Sequence, residues 1–402
     1  MSSAPTDPAP APELPLHMRR NGFDPVPDLA ARREEAAPTP VVTPFGARAW
    51  LVTRYADVRA LLGDAETFSN AWERPNSELS AEEAAELRRG NLLALDAPEH
   101  TRLRRMLTPE FTVRRMKRLE PRIVEIVDEH LDAMERAGAP RDLVADFALP
   151  IPSLVICELL GVPYVDRAKF QERTGVLLDT SLPERERVAA DIAQREYMRE
   201  LVVRAQTEPG DDLLGMLIRE HGHELETSEL VGIANLLLLA GHETTSNMLG
   251  LGTLALLRHP EQLALVRDDP EQVGPAVEEL LRWLSIVHTG APRVTTREVE
   301  IGGEVLPAGA MVLFALPGAN RDPELVADPD VLDVTRKPAG HIGFGHGVHH
   351  CLGAPLARME MRIAFPALLR RFPELRSATP DDEIEFRSYH FVYGLKKLDV
   401  TW

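Results

Sequence analysis

Cysteine is almost absent: Cys157 and Cys351 are the only thiols in 402 residues. Two thiols cannot build a disulfide framework and no basic, apolar signal segment opens the chain, so a cytoplasmic setting is expected. Long apolar runs are missing too. The most apolar stretch, Leu230 to Leu257, is interrupted by His242, Glu243, Thr244 and Thr245, which a lipid-facing span does not readily tolerate, and no transmembrane helix is predicted. Basic charge is in deficit: 45 Lys and Arg against 63 Asp and Glu leave a net charge of -18, a field that repels nucleic acid and anionic membranes. No repeat at solenoid or propeller spacing is found.

What is present suits a folded catalyst or binder. The chain is 44% hydrophobic and 27% charged, as in ordinary globular proteins, and long enough to enclose a small molecule. Residues 1–15, rich in Pro, Ala and Ser, read as a disordered leader, and 16–402 as a single domain. A hairpin is expected over 41–54 and further short strands over 297–316. Helices are expected over 56–62, 99–107, 113–137, 184–206, 228–258, 260–268, 273–284 and 354–371, many closed by Gly or Pro. The fold class is therefore mainly α with small β-sheets. The 228–258 helix would span roughly 46 Å, and its apolar residues surround its axis, which marks a helix buried in a large protein.

Within that helix, Ala240 to Thr245 reads AGHETT, where its neighbours predict more aliphatics. A Thr hydroxyl can bond back to a preceding carbonyl and bend the helix, and Gly241 removes bulk so that a flat group could approach. Elsewhere, Glu279 and Arg282 sit at i and i+3, and His100 and Arg104 at i and i+4; alone, either reads as an ordinary surface pair. The residues FGHGVHHCLGAPLAR, Phe344 to Arg358, place Cys351 in a glycine-rich turn just before a helix starting near Gly353. Unpaired N–H groups there favour a thiolate. Three identities compete for it: a nucleophile, a zinc ligand with His341, His346, His349 or His350, and a haem ligand. A nucleophile needs a base and an oxyanion site, adjacent HHC strains tetrahedral zinc, and haem needs one protein ligand plus cations for its propionates.

In order along the chain, AGHETT, EELLR, APRVTTREVEIGG, ANRDPELVADPD and FGHGVHHCLGAPLAR resemble the segments of soluble bacterial cytochromes P450. The likeness covers nearly everything after the leader, and it implies that fold, with the long helix over haem b, iron protoporphyrin IX. It implies Cys351 as axial thiolate and metal ligand, in a loop running from Phe344 and Gly345 to Gly353. His100, Arg104, Arg293 and His349 match positions that hold the propionates, while Ala240 and Gly241 would lie against the ring. Glu243 and Thr244 match the acid–alcohol pair, in which Thr244 would hydrogen-bond the iron-bound peroxo group and Glu243 relay protons from solvent. The acid is Glu where some relatives carry Asp, which keeps the chemistry. Glu279, Arg282 and Arg336 match a buried structural ion-pair set.

The resemblance also implies electrons from NAD(P)H through a separate ferredoxin and ferredoxin reductase, since no reductase domain is seen. Arg102, Arg105 and Arg114, in the basic run 100–118, would dock the ferredoxin. Substrate contacts are expected from 70–93, 170–182, 236–244, 286–291 and 389–392. Leu237, Ile286, Val287 and Val392 predict an apolar pocket, with His288, Thr289 and Tyr389 orienting an oxygenated compound. Hydroxylation or epoxidation of a lipophilic polyketide, macrolide or terpenoid is the expected reaction. The alternatives are oxidative coupling or desaturation by the same haem, and a non-catalytic haem-thiolate binding or sensor protein. Cys157 reads as a buried helical residue.

Overall fold

The computed structural model describes residues 13–71 and 79–402. Most of the expected leader, and 72–78 of the expected substrate stretch, therefore lie outside the described residues. Glu13 and Leu14 are placed: Arg19 donates to the Glu13 carboxylate at 2.6 Å and to the Leu14 carbonyl at 2.7 Å.

Helices surround one, Thr227–Leu257, that is buried through most of its 31 residues. A capping box starts it, with the Glu229 carboxylate accepting from the Glu226 N–H at 3.0 Å. It packs on Pro150–Leu160, Glu184–Thr207 and Ala354–Arg371. Small residues set those distances: a methyl at Gly241 would lie 2.7 Å from Ile156 Cδ1. Close packing of two helices is therefore one reason for a glycine at 241.

A five-stranded sheet frames one flank, ordered Thr39–Val42, Arg48–Val52, Met311–Phe314, Arg293–Thr295 and Phe68–Ser69. The hairpin expected over 41–54 is its edge, with Val42 opposite Arg48. Arg293 is fixed opposite Val312. Among the described residues, no helix is long and apolar enough to cross a membrane.

The expected 113–137 helix is two helices, Val113–Met116 and Glu120–Ala137. Pro121 suits a first turn but not a helix interior, since it lacks an N–H and clashes with the preceding turn. Helices Pro27–Glu35, Ala81–Arg88, Arg167–Leu178 and Leu213–His221 were not expected from the sequence. The helix expected around Cys157 is Pro150–Leu160: Pro150 and Pro152 occupy its N-terminal turn, and nearly all its side chains are buried. Cys157 lies in it, buried, with burial pushing its thiol up to about 12.

Candidate active site

The Cys351 loop is a folded cage. Cys351 N–H donates to the Phe344 carbonyl at 2.9 Å, and Gly345 N–H to that of Ile342 at 2.9 Å. Gly345 and Gly347 adopt φ of 72° and 71°, conformations that side chains disfavour. A methyl on Gly347 would also meet the Leu62 carbonyl at 2.5 Å. Arg358 caps the Phe344 ring at 4.6 Å.

The expected thiolate does not arise from this cage alone. Burial raises the Cys351 thiol above its usual value and outweighs the Gly353 and Ala354 N–H groups, Arg104 and Arg358, which all pull it down. A bound metal cation would supply the missing stabilisation.

Two arginines and two histidines with no ion pair among the described residues gather beside the loop. His100 and His349 stack with ring centroids 4.1 Å apart, and His100 Nε2 and His349 Nδ1 are buried without a hydrogen-bond partner. Arg293 donates to the Pro292 carbonyl at 2.9 Å and Arg104 to that of His350 at 2.7 Å. Burial holds Arg293 down at about 10, and His349 at about 3, where His100, Arg293 and Arg104 also repel a proton. This donor set fits a partly buried dianion such as the haem propionates, with the histidines as neutral N–H donors until the anion arrives. Zinc fares worse: among the described residues no three His, Cys, Asp or Glu side chains gather as ligands.

On the central helix, Ala240 is exposed and Leu236, Gly241 and Thr244 half-buried, while most residues before and after them are buried. Positions 236, 240 and 244 form one stripe at helical spacing. Thr244 Oγ1 donates to the Ala240 carbonyl at 2.8 Å, yet the helix runs unbroken. Glu243 is buried. Its Oε2 accepts from Arg387 Nη1 at 3.1 Å and from Asn247 Nδ2 at 3.2 Å. Burial opposes its ionisation, but Arg387, His242 and His390 together hold its carboxyl below the usual value.

Beneath the cage, Arg282 grips Glu279 through two bonds of 2.7 Å, and Glu279 also receives Arg336 Nε at 3.4 Å and Asp333 N–H at 3.1 Å. The pair, which by its spacing alone reads as an ordinary surface bridge and which the resemblance implies is buried, is almost wholly buried. Asn320 ties it to the loop, accepting from Ile342 N–H at 2.9 Å while its carbonyl accepts from Arg282 at 2.9 Å.

Several pocket residues are placed differently from their expected roles. In the 286–291 strand-like segment, Ile286 and His288 are buried and Val287 and Thr289 half-buried, an alternation that turns successive side chains to opposite faces. His288 is fully buried, Nε2 donating to the His390 carbonyl at 2.7 Å, so it braces the C-terminal turn and is not free to orient a substrate. Leu237, Ile286 and Val392 belong to the main core, though Val392 bridges to Val287. Thr289 lines a cavity of about 70 Å³ with Phe45, Pro292, Met311, Leu313 and Phe391. Arg102 pairs with Glu229 and is not available for docking, while Arg105 and Arg114 are exposed with no ion pair shown.

Sequence reading missed Arg387 and His390, which carry no local motif and lie 144 and 147 positions beyond Glu243. It also missed Glu278, whose carboxylate accepts from Arg358 at 2.6 and 2.8 Å and from His341 at 3.1 Å, tying the loop to two helices.

Comparison with known proteins places this site in a class. The family model described as Cytochrome P450 matches residues 191–400. Cytochrome P450 FAS1 of Rhodococcoides fascians is 51% identical over 395 residues, covering 97% of this chain and 99% of that one. Pentalenic acid synthase of Streptomyces avermitilis is 47% identical over 362 residues, 89% of each. The crystal structure of CYP105P1 in complex with filipin I aligns with a TM-score of 0.89 at 42% identity, covering 96% of this chain and 97% of that one. The Cys351 loop and the arginines and histidines beside it fit a haem site of that family. The chain belongs to the cytochrome P450 family, and it is a haem-iron monooxygenase.

Proposed function

We propose that this monooxygenase is a cytoplasmic, ferredoxin-driven enzyme that hydroxylates or epoxidises a medium-sized lipophilic natural product. The observation that carries the reading is the pairing of a buried, ionised Glu243 with a half-buried Thr244 on a helix whose Ala240 is exposed. Such a pair stores a carboxylate next to a hydroxyl at an open stripe, an arrangement for moving protons and not for packing.

Haem bound through Cys351 supplies oxygen activation, which thiolate donation favours. The protein supplies the rest. Arg104, Arg293, His100 and His349 would anchor the propionates. The Phe344 ring and the loop glycines shield the sulfur, and the Gly353 and Ala354 N–H groups favour its negative charge. Glu243 takes a proton at a carboxylate oxygen and passes it on, and Thr244 Oγ1, by leaving its bond to the Ala240 carbonyl, offers its hydroxyl to the oxygen site. Val287 and Thr289 present an apolar surface with one hydroxyl to the substrate.

Pentalenic acid, which gives one similar synthase its name, and filipin I, bound in one similar structure, support a lipophilic natural product of terpenoid or polyketide type. Exposed Arg105 and Arg114 support docking of an acidic electron carrier. In the Thr244→Ala variant, reducing equivalents should be diverted from product to peroxide. Unchanged coupling would remove the role given to Thr244.

A further inference from the structure

We propose that Arg387 is the positioning residue for Glu243 and marks the solvent-side entrance of its proton supply. The inference rests on the reading of Glu243 and Thr244 as a proton-handling pair and concerns how that pair is reached.

Glu243 sits in a closed shell. His242 and Asn247 flank it on the central helix, and Arg387 and His390 reach it from the C-terminal turn; His390 in turn feels Asp179. The Glu243 side chain is 4% exposed and that of Arg387 22%, whereas His242, Asn247 and His390 are buried. Arg387 is therefore the member of this shell through which the carboxylate meets water.

The other arm of Arg387 fixes the arrangement. Its Nη2 lies 2.7 Å from His390 Nε2, and a guanidinium only donates, so His390 Nε2 is the acceptor. The ring proton is then on Nδ1, which donates to the Val392 carbonyl at 3.1 Å. This neutral tautomer agrees with burial and Arg387 holding His390 down at about 4. Outside contacts pin the turn: Thr180 N–H donates to the Tyr389 carbonyl at 2.7 Å, His288 to that of His390 at 2.7 Å, and Arg387 N–H to that of Gly394 at 2.8 Å. Arg387 is thus held to one position, with one arm on a neutral histidine and one on the acid.

The chemistry follows. Arg387 keeps its own protons and its charge; a proton from solvent passes beside it to a Glu243 oxygen, and release of that proton toward Thr244 restores the carboxylate. Without the guanidinium, burial acts on Glu243 with less opposition, and the carboxyl holds its proton to higher pH and releases it less readily.

The test is an infrared titration of the haem-loaded protein, with Glu243→Gln subtracted to isolate the Glu243 carboxylic C=O band. Wild type should show Glu243 ionised at neutral pH. In Arg387→Gln the midpoint should rise by about 1–3 pH units, and Arg387→Lys should restore most of the shift. The carbon monoxide difference band of the reduced protein checks that each variant retains thiolate-ligated haem. A protonated Glu243 in neutral wild type would overturn the proposal even if no variant folds, as would an Arg387→Gln midpoint equal to wild type. The peroxide yield of Thr244→Ala fails separately: if it is unchanged, the proton-handling reading falls whatever the titration shows.

Discussion

On the thiolate side of the site, two adjacent carboxylates are each gripped by more than one group: Glu279 by Arg282, Arg336 and a backbone N–H, Glu278 by Arg358 and His341. On the substrate side, the polar side chains are few and differently held. Thr244 bonds its own helix, Thr289 borders a small apolar cavity, and Glu243 is held by Asn247 of its own helix and by Arg387 of one turn near the C-terminus. The Glu278 and Glu279 carboxylates have their oxygens shared among several donors and so resist change. The substrate side leaves side chains half-buried, so that they can meet a ligand or move a proton. The contrast suits the proposed tasks: a metal ligand must not move, whereas side chains that meet a substrate or a proton must not be closed off by their own hydrogen bonds.

The largest effect should come from Cys351. Cys351→Ser should abolish the strongly red-shifted band of the reduced carbon monoxide complex and turnover with it, although the cage around it remains. Persistence of that band would assign the thiolate elsewhere. Next is the ion-pair core. Arg282→Met leaves Glu279 buried and only partly compensated by Arg336, which should cost about 3–5 kcal/mol in denaturant titrations. Thr289→Val, on the substrate side, should cost under about 1 kcal/mol and should instead alter the spin-state shift produced by lipophilic compounds. Equal stability losses in the two variants would erase the proposed distinction.

The same division governs what the sequence made legible. The thiolate side is built from short contiguous strings, and Glu279, Arg282 and the turn from Phe344 to Gly353 stand out because their chemistry is local in the chain. Helices with a period or an end signal were legible for a similar reason, whereas the bounds of Pro150–Leu160 were not, because prolines at its start read as breakers and burial on all sides leaves no stripe. The substrate side is assembled from distant single residues. Nothing around Arg387 announces that it meets Glu243, and no local rule tells that His288 turns inward while Thr289 turns to a cavity. Gly241 shows a subtler limit: a glycine in a helix predicts close approach, but the sequence does not name the partner, which is Ile156.

A smaller effect is expected at the basic run. Arg105→Glu with Arg114→Glu should slow reduction by a ferredoxin several-fold at low salt, with the difference shrinking as ionic strength rises. Arg102→Gln, already committed to Glu229, should leave that salt dependence unchanged. A salt dependence equal to wild type in the double variant would move the docking face away from this run.

The finest test separates the two carboxylates that stand next to each other on the thiolate side. Burial opposes ionisation of Glu278, but the hydrogen bonds from Arg358 and His341 hold it at about 2 against an ordinary 4.5. A depressed carboxyl stabilises the folded protein above its unfolded value, and that contribution fades as pH falls from 4.5 toward 2. Glu278→Gln should therefore be less stable than wild type at neutral pH by an amount that narrows through this window, measured as the denaturant midpoint at each pH. A gap that stayed constant down the acid limb would mean that Glu278 contributes through the shape of its contacts and not through its charge. The rigidity of the thiolate side would then rest on Glu279 and Arg282 alone.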